Sequence, residues 1–175
     1  FREKGNWQKI VDVESCAISD ERLNTLLKEV REYFAGCDYF DIKMKTGTFR
    51  YAVIRVPSND SSISFVLNKD SPNLTAAIEK VKAFAEKTSA KNIIVTYVPQ
   101  NTDMSISDDF FVVKGKDMLL DEYLGKKFTF AAQSFFQNNH VMAEKMLQYS
   151  RDIFKKYDTS GAHLLDNYGG VGSFG

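Results

Sequence analysis

The chain has 175 residues, 43% of them hydrophobic and 26% charged, which is long enough to bury a sizeable core and ordinary for a folded globular protein. These proportions exclude collagen, coiled-coil and disordered classes, and 23 basic residues against 23 acidic ones leave no overall field that would announce a nucleic-acid binder by charge alone. Two cysteines are too few for a disulfide framework, and no stretch has the pattern of a signal peptide or the length of a membrane span, so a cytoplasmic protein with no membrane partner is expected.

In chain order, residues 7–13 alternate loosely in hydropathy, as a strand does. Ser19 is then expected to cap a helix with Asp20 and Glu21 in its first turn and an apolar stripe of Leu23, Leu26, Leu27, Val30 and Phe34. Residues 39–45 and 48–56 read as two strands joined at Thr46-Gly47, where the glycine supplies a permissive turn position. Residues 61–67 read as a third strand. Ser71-Pro72 marks a second helix start, because proline at the first helical position loses no needed hydrogen bond; Leu74, Ala77, Ile78, Val81 and Ala85 line its apolar face. Residues 92–98 are rich in β-formers, and a polar stretch, 100–109, separates them from a further strand at 110–113. This pattern predicts a compact mixed α/β unit over 1–115, with a boundary between Gly115 and Leu124.

After Lys116 the character changes. Residues 126–131 read as a short strand, Gln137-Asn138-Asn139 as a polar junction, 141–157 as a long amphipathic helix, and 162–166 as an apolar strand that feeds a glycine cluster. That cluster holds Gly-x-Gly-x-x-Gly at Gly170, Gly172 and Gly175. Glycines there permit a tight turn and a close backbone approach to a nucleotide-like ligand at the end of the first strand of a doubly wound sheet. Residues 116–175 are thus expected to open a Rossmann-like domain, and both chain ends read as cut. The turn by itself does not choose between a dinucleotide and S-adenosylmethionine.

A second segment does choose. Phe135-Phe136-Gln137-Asn138-Asn139, about one helix upstream of the glycine turn, resembles the Phe-Phe-Gln-x-Asn segment of the RNA uridine-5-methyltransferases. Leu165-Asp166-Asn167-Tyr168-Gly169-Gly170-Val171-Gly172 is similar to that family's first methyltransferase motif, Leu-Asp-Leu-Tyr-Cys-Gly-x-Gly, at the right distance. The likeness extends over Phe1-Arg2-Glu3-Lys4-Gly5, Ile10-Val11-Asp12-Val13, Cys16, Gly47-Thr48-Phe49-Arg50 and Ile54-Arg55, and so over essentially the whole chain. Asn167 and Gly169 depart from the motif and imply a looser turn and an altered cofactor affinity.

The resemblance implies methyl transfer from S-adenosylmethionine to carbon 5 of a uridine in tRNA or rRNA, by a monomer with no DNA partner. In the family a cysteine adds to carbon 6 of the uracil and a glutamate assists proton removal. Both lie beyond the first motif, so the chain alone is expected to be inactive and neither Cys16 nor Cys37 is cast as nucleophile. By the same likeness Gln137, Tyr168, Gly170, Gly172 and Ser173 form the cofactor rim, and Phe135 faces a flipped target base. Only one of Phe135 and Phe136 should face the pocket, the other being core. Without the resemblance, Gln137 reads as a helix cap and Tyr168 as packing.

Cys16 falls where many members place the last of four cysteines that ligate an iron–sulfur cluster. A cluster is left open for a longer parent chain and is not expected on this chain alone, where a buried free thiol is the ordinary reading of Cys16 and Cys37. Arg2, Lys4, Lys9, Arg50, Arg55, Lys126 and Lys127 are candidate RNA phosphate contacts, with Phe49 and Tyr51 interleaved, although the same pattern describes a half-buried strand with a solvated face. Two other readings are an RNA-binding module without catalysis, built on 1–115, and a nicotinamide-dependent oxidoreductase. The Phe-Phe-Gln segment argues against the latter.

Overall fold

A computed structural model describes residues 2–137, 139–163, 165–167, 169 and 172. The fold is mixed α/β, as expected. Strands β1 (Arg2–Glu3) and β2 (Asn6–Ile10) make a small antiparallel ribbon, so the first strand is shorter than hydropathy suggested. Helix α1 spans Glu21–Tyr33 and is capped one residue later than expected: the Asp20 carboxylate accepts the Arg22 N–H at 2.8 Å, while the Ser19 N–H bonds the Cys16 carbonyl.

The centre is a four-stranded sheet in the order β3 (Phe49–Arg55), β4 (Ser62–Asn68), β5 (Asn92–Val98), β6 (Phe110–Lys114). β4 and β5 run parallel, joined through helix α2 (Leu74–Ala85), and the two outer pairings are antiparallel. Strands covered on both faces read as continuous apolar runs, which is why β4 and β5 stood out. Ile63, Phe65, Leu67, Ile93 and Val95 pack on one face against Leu26 and Phe34 of the α1 region and Ala77, Val81 and Phe84 of α2. Period-2 alternation turns Ser64, Thr96 and Ile94 to the other face, where the Ser64 and Thr96 hydroxyls lie 3.1 Å apart.

Three expectations are corrected. Residues 39–45 are not a strand. They form a loop closed by single bridges, Tyr39 to Phe49 and Asp41 to Thr46, because the Asp41 carboxylate accepts the N–H groups of Lys43 and Met44, both at 2.8 Å, and turns the backbone. The partner of β3 is therefore β4. Helix α2 begins at Leu74, not at Pro72, with the Ser71 hydroxyl accepting the Asn73 N–H in the turn before it. The described residues of 162–166 form no strand, and Leu165 is 81% exposed; among the described residues no neighbouring strand offers them a ladder.

Two strands escaped the sequence altogether, the two-residue β1 and a longer one after the sheet. β7 (Met118–Tyr123) pairs with β8 (Lys126–Ala131) as an antiparallel hairpin, its burial alternating so that Leu119, Asp121 and Tyr123 point inward. Helix α3 (His140–Phe154) follows, capped by Asn139, whose side-chain oxygen accepts the Met142 N–H at 3.0 Å. Leu119, Tyr123, Phe130, Ala132, Phe136 and Ala143 gather into a second hydrophobic cluster that takes in Ile94 from the sheet. Gly115, at φ +72°, ends the sheet; a Cβ there would strike the Asn92 side chain, which accepts the Lys116 N–H at 2.9 Å.

Candidate functional site

The segment 132–137 leaves β8 and runs beside the sheet, where Gln133 meets Thr96, ahead of α3. Its path is held at several points. The Ala132 N–H donates to the Asp117 carbonyl at 2.7 Å, and Arg55 Nε donates to the Ala132 carbonyl at 2.7 Å. Gln133 pairs with the backbone of Ser107 in both directions, each bond 3.0 Å, so that the 100–109 loop and the segment are joined as two strands would be. Thr96 also donates to Gln133 at 3.3 Å.

The two adjacent rings go opposite ways. Phe136 is 5% exposed and stacks on Phe130 with centroids 4.0 Å apart, whereas Phe135 is 76% exposed. Phe135 lies along a groove of about 950 Å³ whose walls include Met104, Ile106 and Phe110 on one side and Gln133 and Ser134 on the other. Gln137 is exposed, and beside Arg55 it lines a small crevice over Phe136. The cap of α3 is Asn139, so Gln137 is not spent as the helix cap.

Arg50 is placed otherwise than its sequence role required. Its side chain is 2% exposed, donates to the carbonyls of Pro99 and Thr102, and lies with its guanidinium 4.0 Å over the Phe40 ring. It clamps the 99–103 loop and offers no face to a phosphate. Arg55 is half-buried, and burial pushes its guanidinium below the ordinary arginine range. Lys126 and Lys127, at the tip of the β7–β8 hairpin, and Lys4 and Lys9 are exposed, with Lys9 paired to Glu3 at 2.8 Å; the Arg2 side chain lies outside the described part.

Cys16 and Cys37 are half-exposed free thiols, not buried ones. Cys16 sits in the turn before α1, where a hydrogen bond with Ser19 is the main cause holding its thiol below the usual range. Among the described residues no group of three His, Cys, Asp or Glu side chains is placed to hold a metal. Of the glycine turn, Tyr168, Gly170 and Ser173 lie outside the described residues. Gly172 is described, at φ +74° with open space where a Cβ would stand. Among the described residues no helix is long and apolar enough to cross a membrane.

No family model matches the chain. A curated relative from Streptococcus mutans serotype c, named an uncharacterized RNA methyltransferase, is 28% identical over 173 residues, covering 97% of this chain and 38% of the relative. A relative of the same description from Staphylococcus aureus strain COL is 29% identical over 172 residues, covering 95% and 37%. The chain is similar to these RNA methyltransferases. It spans under two-fifths of their length. Among solved structures, the Pyrococcus abyssi tRNA (uracil-54, C5)-methyltransferase in complex with S-adenosyl-L-homocysteine shares the fold at a TM-score of 0.68 and 22% identity, over 100% of this chain and 41% of that one. The relatives' description, RNA methyltransferase, agrees at that coarser level with the resemblance read from the Phe-Phe-Gln segment, and the solved structure shows a shared α/β fold.

Sequence reasoning missed the roles of Gln133 and Asn139. Asn139 carried a signal, since an asparagine immediately before a helical run is a cap. Gln133 carried none, because its partner Ser107 is reached only through the fold.

Proposed function

We propose that the protein containing this chain transfers a methyl group from S-adenosylmethionine to carbon 5 of a uridine in tRNA or rRNA. The observation that carries this reading is the opposite placement of Phe135 and Phe136, one ring free at a groove and the other locked in the core, with the Gln137 amide exposed beside them. A free ring held on a pinned backbone is suited to stack on a base turned out of its helix. S-adenosylmethionine supplies an electrophilic methyl when bound. This chain's part is to orient: the Gln137 amide meets the polar amino-acid end of the cofactor, with Tyr168, Gly170, Gly172 and Ser173 as the rest of the rim, and Phe135 holds the uracil. Lys126 and Lys127 are free to meet phosphate, and Arg55 acts from behind the segment, by fixing Ala132. The carbon-6 nucleophile is assigned to neither Cys16 nor Cys37.

The division at residue 115 is part of the same proposal. Its support is the separate second cluster, assembled from residues 119–143 apart from Ile94.

The test is a mass-spectrometric nucleoside assay of the full-length protein with S-adenosylmethionine and unmodified tRNA or rRNA. The expected result is 5-methyluridine, formed roughly 10- to 100-fold more slowly by Phe135→Ala. A folded protein that binds these RNAs and yields no methylated uridine would favour the binding-module reading.

A further inference from the structure

Asp121 Oδ1 and His140 Nδ1 stand 3.1 Å apart, with side chains 1% and 29% exposed. Asp121 occupies an inward position of β7 between Leu119 and Tyr123, where a carboxylate is costly unless it is paired. Its Oδ1 accepts the Ser58 N–H at 2.9 Å, the Ser58 hydroxyl at 2.6 Å and the Glu122 N–H at 2.9 Å. Oδ2 is equally buried and meets no donor among the described residues. Burial pushes this carboxyl up, but the Ser58 and Glu122 donors and His140 more than offset it, and the net displacement is downward. The imidazole N–H points off the line to the carboxylate and makes no directional bond. At this separation the polar edge of the imidazole lies in the field of a carboxylate shielded from water, which a polar side chain feels without ideal alignment.

The pair stands at the exit of the site segment. His140 is the first residue of α3, directly after the cap Asn139 and three residues after Gln137. The Tyr123 ring packs 4.8 Å from the imidazole, and its hydroxyl reaches the Gln137 carbonyl at 3.5 Å. Burial, then the Asp121 charge, push that phenol far up, so it stays protonated and available as a donor. The other charged groups facing the imidazole are Asp20 at the start of α1, itself held chiefly by Arg22 at 3.0 Å, and Glu144 one turn along α3, which accepts the Leu124 N–H at 2.8 Å.

We propose that Asp121 and His140 are a positioning pair that fixes the exit of the 132–140 segment, and with it the Gln137 amide that meets the cofactor. This rests on the reading of Gln137 as a cofactor contact. The pair does not touch the reacting atoms. It acts through Tyr123 and the first turn of α3, while Arg55 and the Gln133–Ser107 bonds hold the entry of the segment.

The experiment uses the full-length protein and the variants His140→Ala, His140→Asn and Gln137→Ala. Asparagine keeps an N–H donor near the position of Nδ1. In His140→Ala, KM for S-adenosylmethionine is expected to rise about tenfold, the loss of one charge-assisted contact, with kcat and KM for RNA within about twofold. His140→Asn should recover to within about threefold. A His140→Ala KM that stays within about twofold of wild type while Gln137→Ala raises it, or a His140→Asn variant as poor as the alanine, overturns the proposal. If the wild-type protein neither binds the cofactor nor methylates RNA, it is the functional reading that fails. Amide exchange at Met142 and Ala143, both bonded to Asn139, then decides the positioning role. Exchange about tenfold faster in His140→Ala and restored in His140→Asn upholds it, and equal exchange in all three refutes it.

Discussion

Arg50→Ala separates a buried clamp from a phosphate contact. The guanidinium makes two hydrogen bonds to carbonyls of the 99–102 loop and lies on the Phe40 ring. Charge-assisted bonds are worth about 1.5–3 kcal/mol each and a desolvated cation–π contact about 0.5–2 kcal/mol. Asp103, 3.9 Å away and 91% exposed, adds little. Water that enters the truncated site recovers part of the sum, leaving a loss of about 3–5 kcal/mol, or a drop of roughly 2 M in the urea midpoint at an ordinary slope. The assay pairs urea unfolding of the full-length protein with RNA binding measured across salt concentrations. A clamp predicts the lower midpoint with an unchanged salt slope, because no phosphate contact is lost. An unchanged midpoint with a slope shallower by about one unit would return Arg50 to phosphate binding and refute the buried account.

Phe136→Ala should cost about 3–5 kcal/mol in unfolding experiments, as expected of a ring stacked between Phe130 and Tyr123, whereas Phe135→Ala should stay within about 0.5 kcal/mol in stability while slowing methyl transfer roughly 10- to 100-fold. Asn92→Ala removes bonds to Asp60 at 2.7 Å, the Ser61 carbonyl at 2.8 Å and the Lys116 N–H at 2.9 Å, and thermal unfolding should report a loss of about 3 kcal/mol. Asp38 accepts from Thr48 at 2.6 Å and Asn73 at 3.0 Å, and these bonds, Thr48 first, hold its carboxyl below the usual range. Its folded pKa is depressed, so its stabilisation is present above the unfolded value near about 3.9 and fades as pH falls through the lower folded value. The stability gap between wild type and Asp38→Asn should therefore close on acidification below about pH 4, read by denaturation in a pH series. A gap that widens there would contradict the assignment.

The sheet was legible where burial is two-sided. All of β4 and most of β5 are buried, and their apolar runs announced them. β7 hid because one of its three inward residues is Asp121, which breaks the apolar alternation that a half-buried strand shows. The opposite error occurred at 39–45, where Phe40, Ile42 and Met44 mimic an alternating strand, yet Ile42 and Met44 are 49% and 72% exposed and the local carboxylate of Asp41 decides the backbone. Within the site, the contrast between Phe135 and Phe136 was legible because adjacent residues on extended backbone face apart. Arg50 was not, since alternation does put it opposite Phe49 and Tyr51, but a loop some fifty residues downstream folds over it. Asp121 and His140 sit on different elements, and nothing local links them.

Asn139 not only caps α3; its side-chain nitrogen donates to the Ile18 carbonyl at 3.1 Å, joining positions 121 residues apart. In a chain synthesised from its N-terminus, the four central strands can pair once residue 114 has emerged, because each adjoins a sequence neighbour. The turn around Ile18 must wait for a contact that arrives after the sheet and closes the longest loop among the hydrogen bonds of the described residues. Maturation is thus ordered: the sheet forms during synthesis, and the N-terminal turn settles onto the head of α3 afterwards, which makes docking of that helix the natural slow step in folding.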